Sequence, residues 1–230
     1  VRVILPKFED LAPLSGLEVE IVPGDVRDID SLESAFSGAE VVFHLAGIIS
    51  ISGQAAKAVH EVNVKGTENV VEACLNTGVR RLVYVSTVHA FVETGDGSPI
   101  DETTPIDPER VEGDYGKSKA TATLAVLKGV ERGLDAVIVC PSGVVGPYDY
   151  KLSEMGYLIL DYVNRRLKMY IDGGYDFVDV RDVAEGMIKA MERGGRGEIY
   201  ILTCRKITVP EILMILKEKT KVKQIGRAHV

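Results

Sequence analysis

Apolar residues in this chain gather into short runs set between stretches of helical periodicity. Val1–Leu5, Leu17–Val22, Glu40–Leu45, Leu82–Ser86 and Asp135–Cys140 are such runs, bounded by glycine, proline or acidic residues, and each reads as a β-strand. Between them the pattern predicts a short helix capped by Asp30 or Ser31 and ended by Gly38. A second helix covers about Ala55–Asn76, with Gly78 just beyond, and a third covers Tyr115–Arg132, ended by Gly133. Short apolar strands separated by helices are the pattern of a parallel sheet covered on both faces. The predicted class is α/β, an open doubly wound parallel sheet.

From Tyr150 the character changes. A helix over Leu152–Arg165, a strand at Met169–Ile171, a helix over Asp182–Met191, a strand at Glu198–Leu202 and a helix from Pro210 predict a smaller α/β portion. Asp182 reads as the N-cap of its helix. The expected organisation is a first domain over 1–149 and part of a second over 150–220. Residues 225–230, Ile-Gly-Arg-Ala-His-Val, have no apolar periodicity and match what the opening of a widely used sequencing adapter encodes, so they are a candidate non-native tail.

In a doubly wound sheet ligands bind beyond the carboxyl ends of the strands. Asp25, Ala46-Gly47, Ser86-Thr87 and Pro141-Ser142 all follow predicted strand ends. Any one of these glycines and prolines is ordinary turn punctuation; four on one rim favour a site. Tyr115 and Lys119 stand four apart at the start of a helix, so they share one face. An ammonium beside a phenol favours the phenolate, and a hydroxyl from a neighbouring strand end could hold a substrate oxygen while the phenol gives or takes its proton. Taken alone, the pentapeptide is equally well a surface tyrosine with a solvated lysine.

At 230 residues, 46% hydrophobic and 27% charged, the chain is large enough for a packed core. Its formal charge of -7, without a basic patch, argues against a nucleic-acid surface. Cys74, Cys140 and Cys204 lie far apart in apolar contexts and read as small buried hydrophobes, not as metal ligands or a disulfide framework. No apolar run reaches bilayer length and no signal peptide is visible, so the expectation is a cytoplasmic protein without a membrane partner.

Taken in order, several blocks resemble the extended short-chain dehydrogenase/reductase superfamily, the NAD-dependent epimerase/dehydratase group. They are Gly24-Asp25-Val26-Arg27-Asp28, Val42-Phe43-His44-Leu45-Ala46-Gly47, Asn63-Val64-Lys65-Gly66-Thr67-Glu68-Asn69-Val70, Arg81-Leu82-Val83-Tyr84-Val85-Ser86-Thr87, Tyr115-Gly116-Lys117-Ser118-Lys119, Pro141-Ser142-Gly143-Val144-Val145-Gly146-Pro147 and Asp176-Phe177-Val178-Asp179-Val180-Arg181-Asp182-Val183-Ala184. The last two look most like dihydroflavonol reductase-like proteins and hopanoid-associated sugar epimerases.

The resemblance implies a Rossmann-like fold and a set of roles. Tyr115 would be the catalytic acid/base, and Lys119 would lower its pKa and hold the nicotinamide ribose. Thr87, rather than Ser86, would orient the substrate. Asp25, with Val26 beside it, would bind the adenine amine. Leu45, Ala46 and Gly47 would line the dinucleotide, with Asn63 supporting that wall, and Pro141 and Val144 would pack at the nicotinamide end. His89 would contact substrate or be satisfied locally at a helix start. The implied cofactor is NAD or NADP. Lys7, which follows the first strand where a carboxylate would read an NAD ribose, leans the expectation mildly to NADP.

The implied activity is that of an NAD(P)-dependent oxidoreductase acting on a small-molecule carbonyl or alcohol. The alternatives are a nucleotide-sugar epimerase/dehydratase and a non-catalytic dinucleotide sensor, and a homodimer is a candidate assembly of the full-length protein. The chain departs from the family in having no Gly-x-x-Gly-x-x-Gly motif, whose loop holds the pyrophosphate. The expectation is therefore a fragment without the first, central strand, which would lie between the Val1 and Val41 strands; such a fragment would be inactive and poorly folded.

Overall fold

The computed structural model describes residues 1–7, 9–49, 56–95, 97–170, 172–222 and 226–227, the last two by their backbone only. The chain opens with β1 (Arg2–Leu5) and β2 (Glu20–Pro23), followed by α1 (Ile29–Phe36) and β3 (Val41–His44). A continuous helical run then comprises α2 (Ala56–Val59), a π-helical turn over His60–Lys65 and α3 (Gly66–Thr77), closed by Gly78 at φ 70°. Next come β4 (Arg81–Val85), α4 (Asp114–Glu131), β5 (Ala136–Pro141), β6 (Gly143–Val145), α5 (Glu154–Val163), β7 (Met169–Tyr170) and β8 (Gly174–Asp179). The chain continues with α6 (Val180–Arg193), β9 (Ile199–Leu202), β10 (Arg205–Thr208), α7 (Val209–Thr220) and β11 (Gly226–Arg227).

Two compact units result: Val1–Pro141 with Glu185–Leu202, and Ser142–Ala184 with Thr203–Val230. This division differs from the sequence expectation of 1–149 and 150–220 because β9, far along the chain, returns to pair with β5.

In the first unit β3, β4, β5 and β9 form one parallel sheet in that order. Val42 lies opposite Leu82, Leu82 opposite Ala136 and Ile138 opposite Ile199. Strand β5 is buried along its whole length, the cause of its unbroken apolar run. Leu82, Tyr84, Ile138 and Cys140 join Phe36, Val70, Val71 and Val126 in the main core.

β1 and β2 form a separate parallel pair, and among the described residues no ladder joins β1 to β3, where the sequence placed a break. The pair is tied to the rest of its unit through helices and side chains. Asn69 Nδ2 donates to the Val26 carbonyl at 2.9 Å, and Asn76 Nδ2 donates to Glu33 at 2.7 Å. Gly66 permits this approach, since a Cβ there would stand 2.6 Å from Val26 Cγ2. The cap of α1 is Asp28, earlier than the expected Asp30 or Ser31; its side chain accepts from Ser31 N, and the Ser31 hydroxyl donates to the Asp28 carbonyl.

The second unit holds a three-stranded sheet in the order β10-β8-β6, antiparallel between β10 and β8 and parallel between β8 and β6. It also holds a short parallel pair of β7 with β11. The predicted strand at Met169–Ile171 thus exists at its first two residues, Ile171 lying outside the described ones. Of the candidate tail, Gly226 and Arg227 pair with β7 and the other four residues lie outside the described ones. Helix α6 begins at Val180, so Asp182 sits in its first turn and is not its cap. Cys74 and Cys140 are buried as expected, whereas Cys204, in the short connection between β9 and β10, is exposed. Among the described residues no helix is long and apolar enough to cross a membrane.

One cation closes the bottom of the first unit. The half-buried Arg81 guanidinium bonds both oxygens of Asp135 at 2.9–3.1 Å and the carbonyls of Met191 and Gly194 at 2.8 and 3.0 Å, at the end of α6. Replacing it leaves a carboxylate and helix-end carbonyls without a donor. We therefore expect Arg81→Leu to lower stability by about 2–4 kcal/mol in denaturant titration; a loss under about 0.5 kcal/mol, the range of an ordinary surface change, would contradict this.

Candidate active site

Strand β4 delivers two hydroxyls, and the structure uses them differently. The Ser86 Oγ is buried against Thr123 Oγ1 of α4 at 2.7 Å, so it faces the helix behind the sheet. Thr87 caps a short 3-10 turn over Val88–Ala90, its Oγ1 accepting from His89 N at 3.3 Å. That hydroxyl is close enough to the Tyr115 phenol to bear on its ionisation. His89 is exposed at this turn, with its ring edge-on to the Tyr115 ring at 6.4 Å between centroids.

Tyr115 stands in the first turn of α4. The helix start can lie this close to the Thr87 turn because the next residue is glycine: a Cβ on Gly116 would come within 2.8 Å of the His89 carbonyl oxygen and 2.7 Å of Val111 Cγ1. One turn on, Lys119 is 5% exposed. Its Nζ donates to the Val85 carbonyl at 2.7 Å and lies 4.4 Å from the centroid of the Tyr84 ring.

The electrostatics differ from the expectation in one respect. Burial raises the Tyr115 pKa, and the nearby Thr87 hydroxyl only opposes the rise. A lowering by Lys119 was expected. Instead the ammonium is engaged by Val85 and the Tyr84 ring, and burial brings its own pKa down to about 8. At neutral pH the pair is therefore a protonated phenol with a protonated amine.

The residues expected to hold a dinucleotide fall into three groups. Leu45, Ala46 and Gly47 form an exposed, largely apolar ledge directly after β3, with Leu45 59% exposed. Asn63, buried in the π turn, fixes the ledge's continuation: its Oδ1 accepts from Ile48 N at 2.8 Å and its Nδ2 donates to Ile48 O at 3.0 Å. The same Nδ2 reaches Ser118 Oγ at 3.0 Å, and Ser118 donates to the Tyr115 carbonyl at 2.7 Å, so ledge and helix start share one chain of hydrogen bonds.

Asp25 follows β2, but its carboxylate is engaged by Arg27 at 2.5 and 2.9 Å, and that guanidinium holds its pKa down. Val26 packs against the core and against Gly66. Pro141 is buried at the end of β5, while Val144 belongs to the second unit, on β6, and is 38% exposed. An exposed ledge whose continuation Asn63 fixes fits the expected wall of a dinucleotide site. At the adenine end Asp25 can accept a further bond only alongside Arg27.

Sequence reasoning missed the polar layer beneath the site. Buried His44 of β3 bonds Thr67 Oγ1 through Nε2 at 2.9 Å, and Thr67 donates to the Asn63 carbonyl at 2.7 Å. Since the Thr67 proton is committed, His44 carries its hydrogen on Nε2. Burial and the Lys119 charge push the His44 pKa down to about 3. The Tyr84 hydroxyl lies in this layer without a hydrogen bond among the described residues. Thr67 and Thr123 stand near it, but they donate to the carbonyls of Asn63 and Lys119. A histidine and a tyrosine inside otherwise apolar strand runs were the available signal, because buried polar tips demand partners.

Comparison with known proteins shows the family. The profile of the NAD dependent epimerase/dehydratase family matches residues 5–202. The chain belongs to the NAD-dependent epimerase/dehydratase family. It is 36% identical over 220 residues to the sterol demethylase protein B of Methylococcus capsulatus, covering 96% of this chain and 67% of that one. It is also 36% identical over 211 residues to a provisionally assigned dihydroflavonol 4-reductase of Synechocystis, covering 90% and 61%. Among solved structures, that of gox2253 superposes with a TM-score of 0.91 at 35% identity, over 98% of this chain and 69% of that one. The chain thus spans about two thirds of the length of these family members, and its doubly wound, Rossmann-like α/β fold is theirs.

The buried histidine makes a pH prediction. His44 titrates near 3 when folded and near 6.5 when unfolded, so below pH 6.5 the unfolded state takes up a proton that the folded state refuses, and stability falls as pH falls. Between pH 6.5 and 5, above the carboxylate range, stability should drop with a slope approaching about 1.4 kcal/mol per pH unit. His44→Gln should lose this slope in denaturant titrations at several pH values; an unchanged slope would contradict the assignment.

Proposed function

We propose that the full-length protein is an NAD(P)-dependent carbonyl reductase, acting on a small-molecule ketone or aldehyde, with Tyr115 as its proton carrier. The observation that carries this reading is the meeting of Thr87 and Tyr115 at the end of β4, above a buried Lys119. The Leu45–Gly47 ledge would line the dinucleotide and Lys119 would hold its nicotinamide ribose; the bound cofactor would supply the hydride, as in cofactor enzymes generally. The chain's own residues handle the oxygen. Thr87 donates to the substrate carbonyl and fixes its position. Tyr115, protonated at neutral pH, gives its proton as negative charge develops on that oxygen. Lys119, seated by the Val85 carbonyl and the Tyr84 ring, would hold the nicotinamide ribose while it is charged.

At neutral pH the phenol is protonated, the form that can give a proton to a carbonyl oxygen as it is reduced. The provisional dihydroflavonol 4-reductase among the relatives supports the same direction. Sugar-nucleotide epimerisation needs the same groups and remains the alternative; release of bound cofactor separates the two, since an epimerase retains NAD through its cycle while a reductase exchanges it at each turnover.

Tyr115→Phe keeps the ring and removes the proton, so kcat should fall by about a hundredfold or more. In the wild type, reduction should slow as pH rises past about 8, where Lys119 loses its proton. Wild-type turnover in Tyr115→Phe would overturn the reading.

For the cofactor we propose a mild preference for NADP, resting on the exposed Lys7 just after β1, a cation that could pair with a 2′-phosphate. Lys7→Ala should raise the KM for NADPH severalfold and leave that for NADH unchanged. Equal use of both cofactors, unaffected by the substitution, would remove the proposal.

A further inference from the structure

Lys119 has three N–H donors, and its Nζ donates to the Val85 carbonyl. The other group facing it is the ring of Tyr84, at 4.4 Å from Nζ to centroid, inside the distance at which an aromatic face attracts a cation. Tyr84 is fully buried in the middle of β4, and its ring also packs on His44 at 5.4 Å. Its hydroxyl makes no hydrogen bond among the described residues, so the phenolic oxygen does not explain a tyrosine at this place. The ring does: it is the surface on which the ammonium rests.

We propose that Tyr84 is a positioning residue, whose aromatic face seats the Lys119 ammonium by a cation–π contact and so holds the Tyr115–Lys119 pair in register. This rests on the catalytic reading above for its importance to turnover, but the seating of the ammonium can be measured without turnover. The titratable groups around Lys119 are Tyr115 on its own helix, His44 of β3, Tyr84 of β4 and Cys140 of β5. Of these, His44 stays neutral above pH 3 and burial holds Cys140 as a thiol up to about pH 12, so neither changes charge where Lys119 titrates.

An aromatic face stabilises the charged form of the amine. Removing it should therefore lower the Lys119 pKa further from about 8. The removal of Tyr84's hydroxyl alone should not, because the face remains.

The test is the titration of Lys119 followed by NMR of the full-length protein carrying 13C at the lysine ε-carbons, assigned with Lys119→Met, together with melting curves of each variant. Tyr84→Phe should leave the Lys119 midpoint unchanged and the melting temperature unchanged or higher. Tyr84→Leu should lower the midpoint by about one pH unit. If Tyr84→Leu does not fold, phenylalanines carrying one, two and three ring fluorines at position 84 keep the question open to test: each fluorine weakens the ring's negative face with little change in size, so the midpoint should step downward along the series.

A midpoint unmoved in a folded Tyr84→Leu protein, or flat across the fluorinated series, overturns the proposal. Since the readout needs neither substrate nor hydride transfer, it stands or falls apart from the Tyr115→Phe result: active Tyr115→Phe with a stepped titration would leave the seat and remove the catalytic role, and the converse would do the reverse.

Discussion

An ammonium buried at the carboxyl end of a parallel sheet is costly unless it is held, and the arrangement of this unit follows from holding Lys119. Taking a lone charge out of water costs several kcal/mol after relaxation. Here that cost is offset by one carbonyl of β4 and by the ring beneath it, and is reflected in a pKa brought down to about 8. Both compensating groups come from the same strand, Val85 through its backbone and Tyr84 through its side chain. The register of β4 between β3 and β5 therefore fixes where the ammonium can be. A slip of one residue would turn Tyr84 to the opposite face and leave the charge without its seat.

The same strand fixes the hydroxyls. Ser86 and Thr87 are adjacent, so they point to opposite sides as the strand ends: one meets Thr123 behind the sheet, the other meets Tyr115 in front. Asn63 then ties the remaining parts together. The π turn that carries it links the ledge after β3, through Ile48, to the start of α4, through Ser118. A wide turn at a functional position is a recurring device, and here it lets one amide serve two segments. The site is in this sense a by-product of sheet register, one glycine contact at Gly116 and one buried amide.

Much of this was legible in the sequence, for identifiable reasons. The runs that became β4 and β5 could be read because both faces of those strands are covered, so nearly every residue is apolar; β3 could be read from its apolar run although Phe43 is exposed. Tyr115 and Lys119 could be paired because helical spacing places them on one face. The strands β6, β8 and β10 were not legible. Of the six residues of β8, only Phe177 and Val178 are buried, which leaves no run or alternation to detect. The cap of α1 was misplaced because Asp28, Asp30 and Ser31 are all competent, and only the fold shows the Ser31 hydroxyl turned back to the Asp28 carbonyl. The direction of the Tyr115 shift was missed because spacing gives proximity to Lys119 and says nothing about the carbonyl and ring that engage it.

The central claim is that Thr87 and Tyr115 act on one substrate oxygen, with Lys119 behind them. A crystal structure of the full-length protein with NADP and an alcohol or carbonyl substrate tests it most directly. The account predicts the reacting oxygen within hydrogen-bond reach, about 2.6–3.2 Å, of both Thr87 Oγ1 and Tyr115 Oη, with Ser86 still turned to Thr123. A substrate oxygen held by Ser86 or His89, or lying beyond reach of Tyr115, would contradict it.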